Sequence, residues 1–217
     1  MNLWLWILLI VLCGYFLGSL HGSKMAQLLS GVNVKEQGVK NSGASNATMV
    51  LGWKYGALVA LIDIGKGILG VLILSYFLQS TSFSNEQIVS LLFLTGAAVV
   101  TGHNFPVWMN FDGGKGTASV IGLLFAIDLK LGLIGLSVFV ITSLLTDFIL
   151  LGVLGLYVVL CGYAIWFTDG YWSSAIAIGL FLIAIWKHQD NVKRFRAHAE
   201  PRLSSVIKKK KTASPSK

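Results

Sequence analysis

Charge is scarce in this chain. Only 12% of its 217 residues are Asp, Glu, Lys or Arg, roughly half the share of a typical soluble domain, and a shortage on that scale excludes an ordinary water-soluble globule. Acidic residues are scarcer still, 9 against 17 Lys and Arg. Two cysteines do not make a disulfide framework or a zinc ligand set. Cys13 and Cys161 fall inside apolar runs, where they read as small packing residues. Also missing are a nucleophile elbow, a His-Glu zinc motif and a convincing Ser-His-Asp arrangement, which disfavours a covalent hydrolase.

What fills the space is hydrophobic: 55% of the chain is apolar and the mean hydropathy is +0.74. A bilayer core about 30 Å thick takes roughly 20 apolar residues per helix, so the chain has room for about seven spans and no separate soluble domain. The expected fold is an all-α integral membrane protein. Apolar runs and their breaks place spans near 3–23, 54–78, 86–102, 117–128, 131–146, 148–167 and 171–187. The fourth is short, and must be tilted, partly interfacial or covered by its neighbours. The first run has no positive residue before it and no clear cleavage site, so it reads as a retained helix rather than a signal peptide.

The net charge of +8 is concentrated in "KHQDNVKRFRAHAEPRLSSVIKKKKTASPSK", Lys187 to Lys217. Directly after a membrane span, such a stretch reads as an anchor on anionic headgroups rather than a nucleic-acid footprint. Residues 1–203 are expected to form one membrane domain, and 204–217 a disordered basic tail. Lysines flanking spans favour the cytoplasm. The basic tail, the loop from Lys24 to Lys54 and the loop around Lys115 then lie inside, with the N-terminus outside.

The candidate chemistry gathers on that side. "EQGVKNSGASNATMVLG" offers Gly38, Gly43, Ser45 and the amides of Asn41 and Asn46, a pattern suited to an anion nest or to a flexible connector. "GGKGT", Gly113 to Thr117, offers three glycines and Lys115. A nucleotide P-loop needs Ser or Thr directly after its lysine, and Gly116 intervenes, so a phosphate clamp of another kind remains. Asp63 and Lys66 share a helical face deep in the second span, either as a structural pair or as members of a site. His103, beside Gly102 and Pro106, fits a helix end as well as a functional role. His188, Asn191 and Arg194 share one face at the end of the last span, either a solvated basic face or groups that bind phosphate or an oxyanion. No partner is evident for His21 or His198.

This set of motifs resembles the bacterial acyl-phosphate:glycerol-3-phosphate acyltransferases over nearly the whole chain. The resemblance is carried by Gly18–Ser19, "GxxNxGAxN" at Gly38 to Asn46, "DxxKG" at Asp63 to Gly67, "GHxFPVxxxFxGGKGxA" at Gly102 to Ala118, "HxxNxxR" at His188 to Arg194, and Glu200. It implies a seven-helix enzyme of the bacterial cytoplasmic membrane, its site facing the cytoplasm. It further implies transfer of a fatty acyl group from acyl phosphate to glycerol 3-phosphate, with lysophosphatidic acid and phosphate as products. Neither a metal, a cofactor nor nucleic acid is implied; the partners are the two substrates and membrane lipid. On this reading Lys115 with Gly113, Gly114, Gly116 and Thr117 holds phosphate, and Lys40, Asn41, Gly43, Ser45 and Asn46 line the same pocket. His188 and Asn191 orient glycerol phosphate or polarise the carbonyl, Ser143 and Thr146 form a further family element, and Ser19, Asp63, Lys66, His103, Arg194 and Glu200 support.

The resemblance departs where the family's Ser and Gly are replaced by Val39 and Lys40, where its arginine is replaced by Met49, and where its proline is replaced by His21. Lys40 is expected to stand in for the missing charge, though not for the fork geometry of a guanidinium. The departures leave open a different acceptor, or a non-catalytic lipid-binding or transport protein of the same fold.

Overall fold

The computed structural model describes residues 2–208 and is all-helical over them. The long helices are α1 (Leu3–Gly18), α4 (Trp53–Leu78), α5 (Asn85–Asn104), α6 (Thr117–Ile127), α7 (Leu129–Thr146), α8 (Ile149–Trp166) and α9 (Trp172–Lys187). Each begins and ends within a few residues of an apolar run read from the sequence, except the first. Among the described residues five stretches are long and apolar enough to cross a membrane, and α6 and α9 are shorter apolar helices. Large apolar side chains such as Leu8, Leu61, Leu145, Val158 and Leu182 face outward, as lipid-facing residues do and as a soluble surface does not.

Start signals are local. Ser84 and Gln87 form a capping box at α5, and Asp128 accepts from Leu131 N at 2.8 Å to start α7, each filling donors that a helix N-terminus leaves open. Small residues set the closest crossings. A side chain at Gly18 would strike the Val99 backbone of α5, and one at Gly122 the Ile64 carbonyl of α4, so α1–α5 and α4–α6 pack nearly backbone to backbone. The short α6 is covered on every side, touching α4, α5, α7 and α8, with Val120, Leu123 and Leu124 fully buried.

Three expectations are corrected. The first run is broken: α1 stops at Gly18, where Ser19 Oγ turns back to Tyr15 O (2.8 Å) and reaches Gly102 O (3.3 Å). Residues 24–54 are not an open loop. They hold α2 (Gly22–Ser30), a 3-10 turn (Val34–Glu36) and α3 (Ala44–Leu51), built round a small core of Ala26, Val34, Ala47 and Val59. Both helices are short and amphipathic, too brief to register as apolar runs. Residues 204–208, expected at the start of a disordered tail, belong with Leu203 to a helix, α11 (Leu203–Lys208). It is docked on the end of α7, where Leu203 N donates to Asp147 O and Ser204 N and Oγ donate to the Asp147 carboxylate; the rest of the expected tail, 209–217, lies outside the described residues. Cys13 faces outward from α1 rather than packing, while Cys161 is half-buried.

Candidate active site

A cavity of about 470 Å³ opens between α3, α4, α6, α7, α8 and the segment after α9. Its polar lining includes Asn41, Ser45, Asn46, Lys115, Thr117, His188, Asn191 and Glu200, and its apolar lining includes Ile121, Leu136, Phe139, Ile149, Leu150 and Val153. Two helices begin at the cavity wall. Gly43, Ala44 and Ser45 start α3, and Gly116, Thr117 and Ala118 start α6, so unpaired amides and the positive ends of two dipoles face the same space.

The "GGKGT" loop is held by α5. Gly113 N donates to Asn104 O (3.1 Å) and Gly114 N to His103 O (3.0 Å). Those two amides are therefore occupied by the end of α5. A Cβ on Gly114 would collide with His103 Nε2. Gly116 turns the chain into α6 at φ +80, in the left-handed region, where a side chain would also meet Val100 Cγ1 at 2.7 Å.

Beside the loop, a short helix α10 (Gln189–Arg196) follows His188. Lys115 Nζ donates to Asn191 Oδ1, Asn191 Nδ2 donates to Glu200 Oε1 (2.5 Å), and Arg194 Nε donates to Glu200 Oε2 (2.8 Å). Glu200 thereby fixes which way the Asn191 amide points, oxygen toward Lys115. Burial, then the nearby Arg194, lowers the Lys115 pKa to about 8, against the opposing pull of Glu200 and Asp190. His188 is buried, and its Nδ1–H donates to Ala184 O at 2.8 Å, which leaves Nε2 with a lone pair. Burial, then Lys115, lowers its pKa to about 4, so the imidazole is neutral at pH 7 and accepts rather than donates at Nε2.

Beneath the loop lies a second polar group. Asp63, Lys66 and His103 are almost fully buried. Lys66 Nζ reaches Leu20 O (2.7 Å), His103 Nδ1 (2.7 Å) and Asp63 Oδ1 (2.9 Å), while Gly22 N donates to Asp63 Oδ1 (3.3 Å) and Ser119 Oγ to Asp63 O (3.1 Å). Ligand atoms of His21, Asp63 and His103 lie within 4.8 Å of one another, but the Lys66 ammonium bonds two of those residues and takes the cation's place. His21 stacks on His103 at 4.4 Å, and neither of its ring nitrogens is hydrogen-bonded.

Several expected site residues sit elsewhere or are used internally. Lys40 is exposed and does not line the cavity; its φ of +54 is the left-handed backbone that the family's glycine suits. It therefore does not replace the charge lost beside Val39 and Met49, which do line the cavity. Among the described lining residues Lys115 is the one Lys or Arg. Asn46 lines the wall but spends its amide on the loop, accepting from Val39 N and donating to the carbonyls of Val34, Gln37 and Asn41. Ser143 and Thr146 bond back to the carbonyls of Phe139 and Thr142 and are not in the lining. Ser19 braces α1 against α5. His198 is exposed. The sequence reading missed the apolar wall from α7 and α8, and also Gly56, Ala57 and Ala60 of α4. These last recur on one face with Asp63 and Ile64, a spacing that marks a small-residue stripe.

Residues 8–198 match the family model described as glycerol-3-phosphate acyltransferase. The chain is 42% identical to "Glycerol-3-phosphate acyltransferase 1" of Oceanobacillus iheyensis, over 92% of this chain and 96% of that one. It is 33% identical to "Glycerol-3-phosphate acyltransferase 2" of Thermotoga maritima, over 94% and 98%. Its fold is similar to a crystal structure of PlsY (YgiH), an integral membrane glycerol 3-phosphate acyltransferase, in the glycerol 3-phosphate form. The TM-score is 0.80 at 29% identity, covering 90% of this chain and 94% of that one. The lysophosphatidic acid form gives a TM-score of 0.78. On the family match, the long relatives and the shared fold together, this chain belongs to the glycerol-3-phosphate acyltransferase family.

Proposed function

We infer that the protein transfers a fatty acyl group from acyl phosphate to glycerol 3-phosphate, releasing phosphate and lysophosphatidic acid. The carrying observation is a single cavity that joins two helix N-termini and Lys115 to an apolar chamber, which suits one phosphate and one lipid chain meeting at a headgroup level. Its relatives are named as glycerol-3-phosphate acyltransferases. The acyl chain lies among Leu136, Phe139, Ile149 and Val153, and the phosphoryl oxygens lie against Lys115 and the first amides of α6. The glycerol hydroxyl attacks the acyl carbonyl carbon, the bond from that carbon to the phosphate oxygen breaks, and phosphate leaves. His188 Nε2, kept as an acceptor by its Nδ1–H bond, takes the hydrogen bond of the attacking hydroxyl, and the proton passes to the departing phosphate.

Seven spans, an outside N-terminus and a cytoplasmic site fit the lysines flanking α2, α3, α6 and α10. Phosphate release from acyl phosphate, measured on the purified protein in lipid with and without glycerol 3-phosphate, tests the reading. Release that depends on glycerol 3-phosphate and yields lysophosphatidic acid supports it; no release beside an active relative overturns it. A second reading, acylation of a different acceptor, draws on Val39 and Met49 in the wall and on Lys40 outside it. Release stimulated only by another alcohol favours that reading.

A further inference from the structure

The buried Asp63–Lys66–His103 group lies directly under the phosphate loop, and its hydrogen bonds decide a protonation state. An ammonium carries three N–H donors and no acceptor. Lys66 Nζ has three acceptors around it: Leu20 O at 2.7 Å, His103 Nδ1 at 2.7 Å and Asp63 Oδ1 at 2.9 Å. His103 Nδ1 therefore holds a lone pair. The competing arrangement, an Nδ1–H donated to Asp63, would span 3.5 Å, too long for a good bond. The ring proton must then sit on Nε2. The only hydrogen bond of that ring among the described residues is at Nδ1, and Nε2 packs against Gly114, where an added Cβ would collide with it. His103 is itself part of the cavity wall with Lys115 and Gly116. His21, stacked at 4.4 Å with both nitrogens unbonded, closes the ring's opposite face without offering it a competing bond.

We propose that His103 is a substrate-contacting residue whose Nε2–H donates to an oxygen of the phosphoryl group held beside Lys115, with Lys66 and Asp63 as the positioning residues that fix its tautomer. The proposal rests on the acyltransferase reading for the identity of the phosphoryl group, and assigns the two histidines opposite duties. His103 is a fixed donor and His188 a fixed acceptor. Gly114 is required in this scheme because any side chain there would collide with the donor nitrogen.

The test is ¹⁵N NMR of the full-length protein in lipid nanodiscs. The chain has four histidines, so the His103 signals are identified by their loss in His103→Gln. At pH 7 they are expected to report a neutral ring protonated at Nε2; a proton at Nδ1, or a doubly protonated ring, overturns the proposal. Inorganic phosphate, as the probe, is expected to shift the Nε2 signal and to leave that of His198 in place; an unmoved Nε2 at saturating phosphate overturns the contact. The double variant Asp63→Asn/Lys66→Met, which removes both charges together, is expected to give a mixture of tautomers, and a pure Nε2–H form there would remove Lys66 from its role. In turnover, His103→Gln restores a donor at the Nε2 position and is expected within about tenfold of wild type, while His103→Asn, whose amide falls at the Nδ1 position, loses about 100-fold in kcat. Equal losses in the two variants, both with wild-type melting temperatures, count against the contact. Wild-type inactivity would sink the acyltransferase reading and leave the tautomer and phosphate measurements standing as the test of His103.

Discussion

Lys66 lies in the buried group beneath the GGKGT loop and Lys115 in the loop itself, and the two have been given opposite tasks. Lys66 has all three N–H groups bonded to fixed acceptors and is about 4% exposed. Lys115 bonds to the Asn191 amide oxygen, and among the described residues no carboxylate is bonded to the charge it brings to the cavity wall, since Glu200 is taken by Asn191 and Arg194. A lysine whose donors are saturated by the protein organises its surroundings, while one with donors to spare is available to a ligand. The difference lies in the partners, because both are lysines near glycine in an apolar chain.

Removing each lysine should break the two regions in different currencies. The largest effect is expected from Lys66→Met, which leaves Asp63 buried and uncompensated, at a cost of about 3–5 kcal/mol. Thermal unfolding in lipid checks it, and a melting temperature like wild type would mean that Asp63 finds another partner. Lys115→Ala should melt like wild type while losing about 100- to 1,000-fold in turnover; a parallel loss of stability would erase the contrast. Glu200→Gln should sharpen it, since Asn191 then loses the charged partner that fixes its amide. About 1.5–3 kcal/mol of hydrogen bonding to a charged group is at stake, read as a fall of roughly tenfold or more in kcat/KM.

The pH dependence follows from the two groups at the rim. His188 must be neutral and titrates near 4, so activity rises with pH through that value. Lys115 must be charged and titrates near 8, so activity falls as pH climbs past it. In Lys115→Arg the alkaline limb should disappear, because a guanidinium stays protonated there; an unmoved limb would assign it to another group. The smallest effect is expected from Lys40→Gly, where relief of a left-handed φ should stabilise by about 1 kcal/mol and leave turnover unchanged.

The spans were legible because a run of about twenty apolar residues is a local property of the sequence. The same is true of "GGKGT", whose spacing alone set it apart from a nucleotide loop. Less legible was anything that depends on which atoms are already taken. Gly113 and Gly114 looked like phosphate ligands, but α5 ends with two carbonyls that claim their amides. Asn46 looked like a ligand to substrate, yet four backbone groups use it. Lys66 and His103 are 37 residues apart, and no periodicity announces that they touch. Asp63 and Lys66 carried half of that signal through their shared helical face.

One amide also explains how this loop tolerates change. Since Asn46 fixes the path of residues 34–41 through their backbone groups, the side chains strung along that path are released from holding it. Val39 can face the cavity and Lys40 can turn to the surface while the main chain keeps its course. The shape of the wall is thus inherited from a single position, and its chemistry is left free to drift, so that acceptor preference can evolve one side chain at a time.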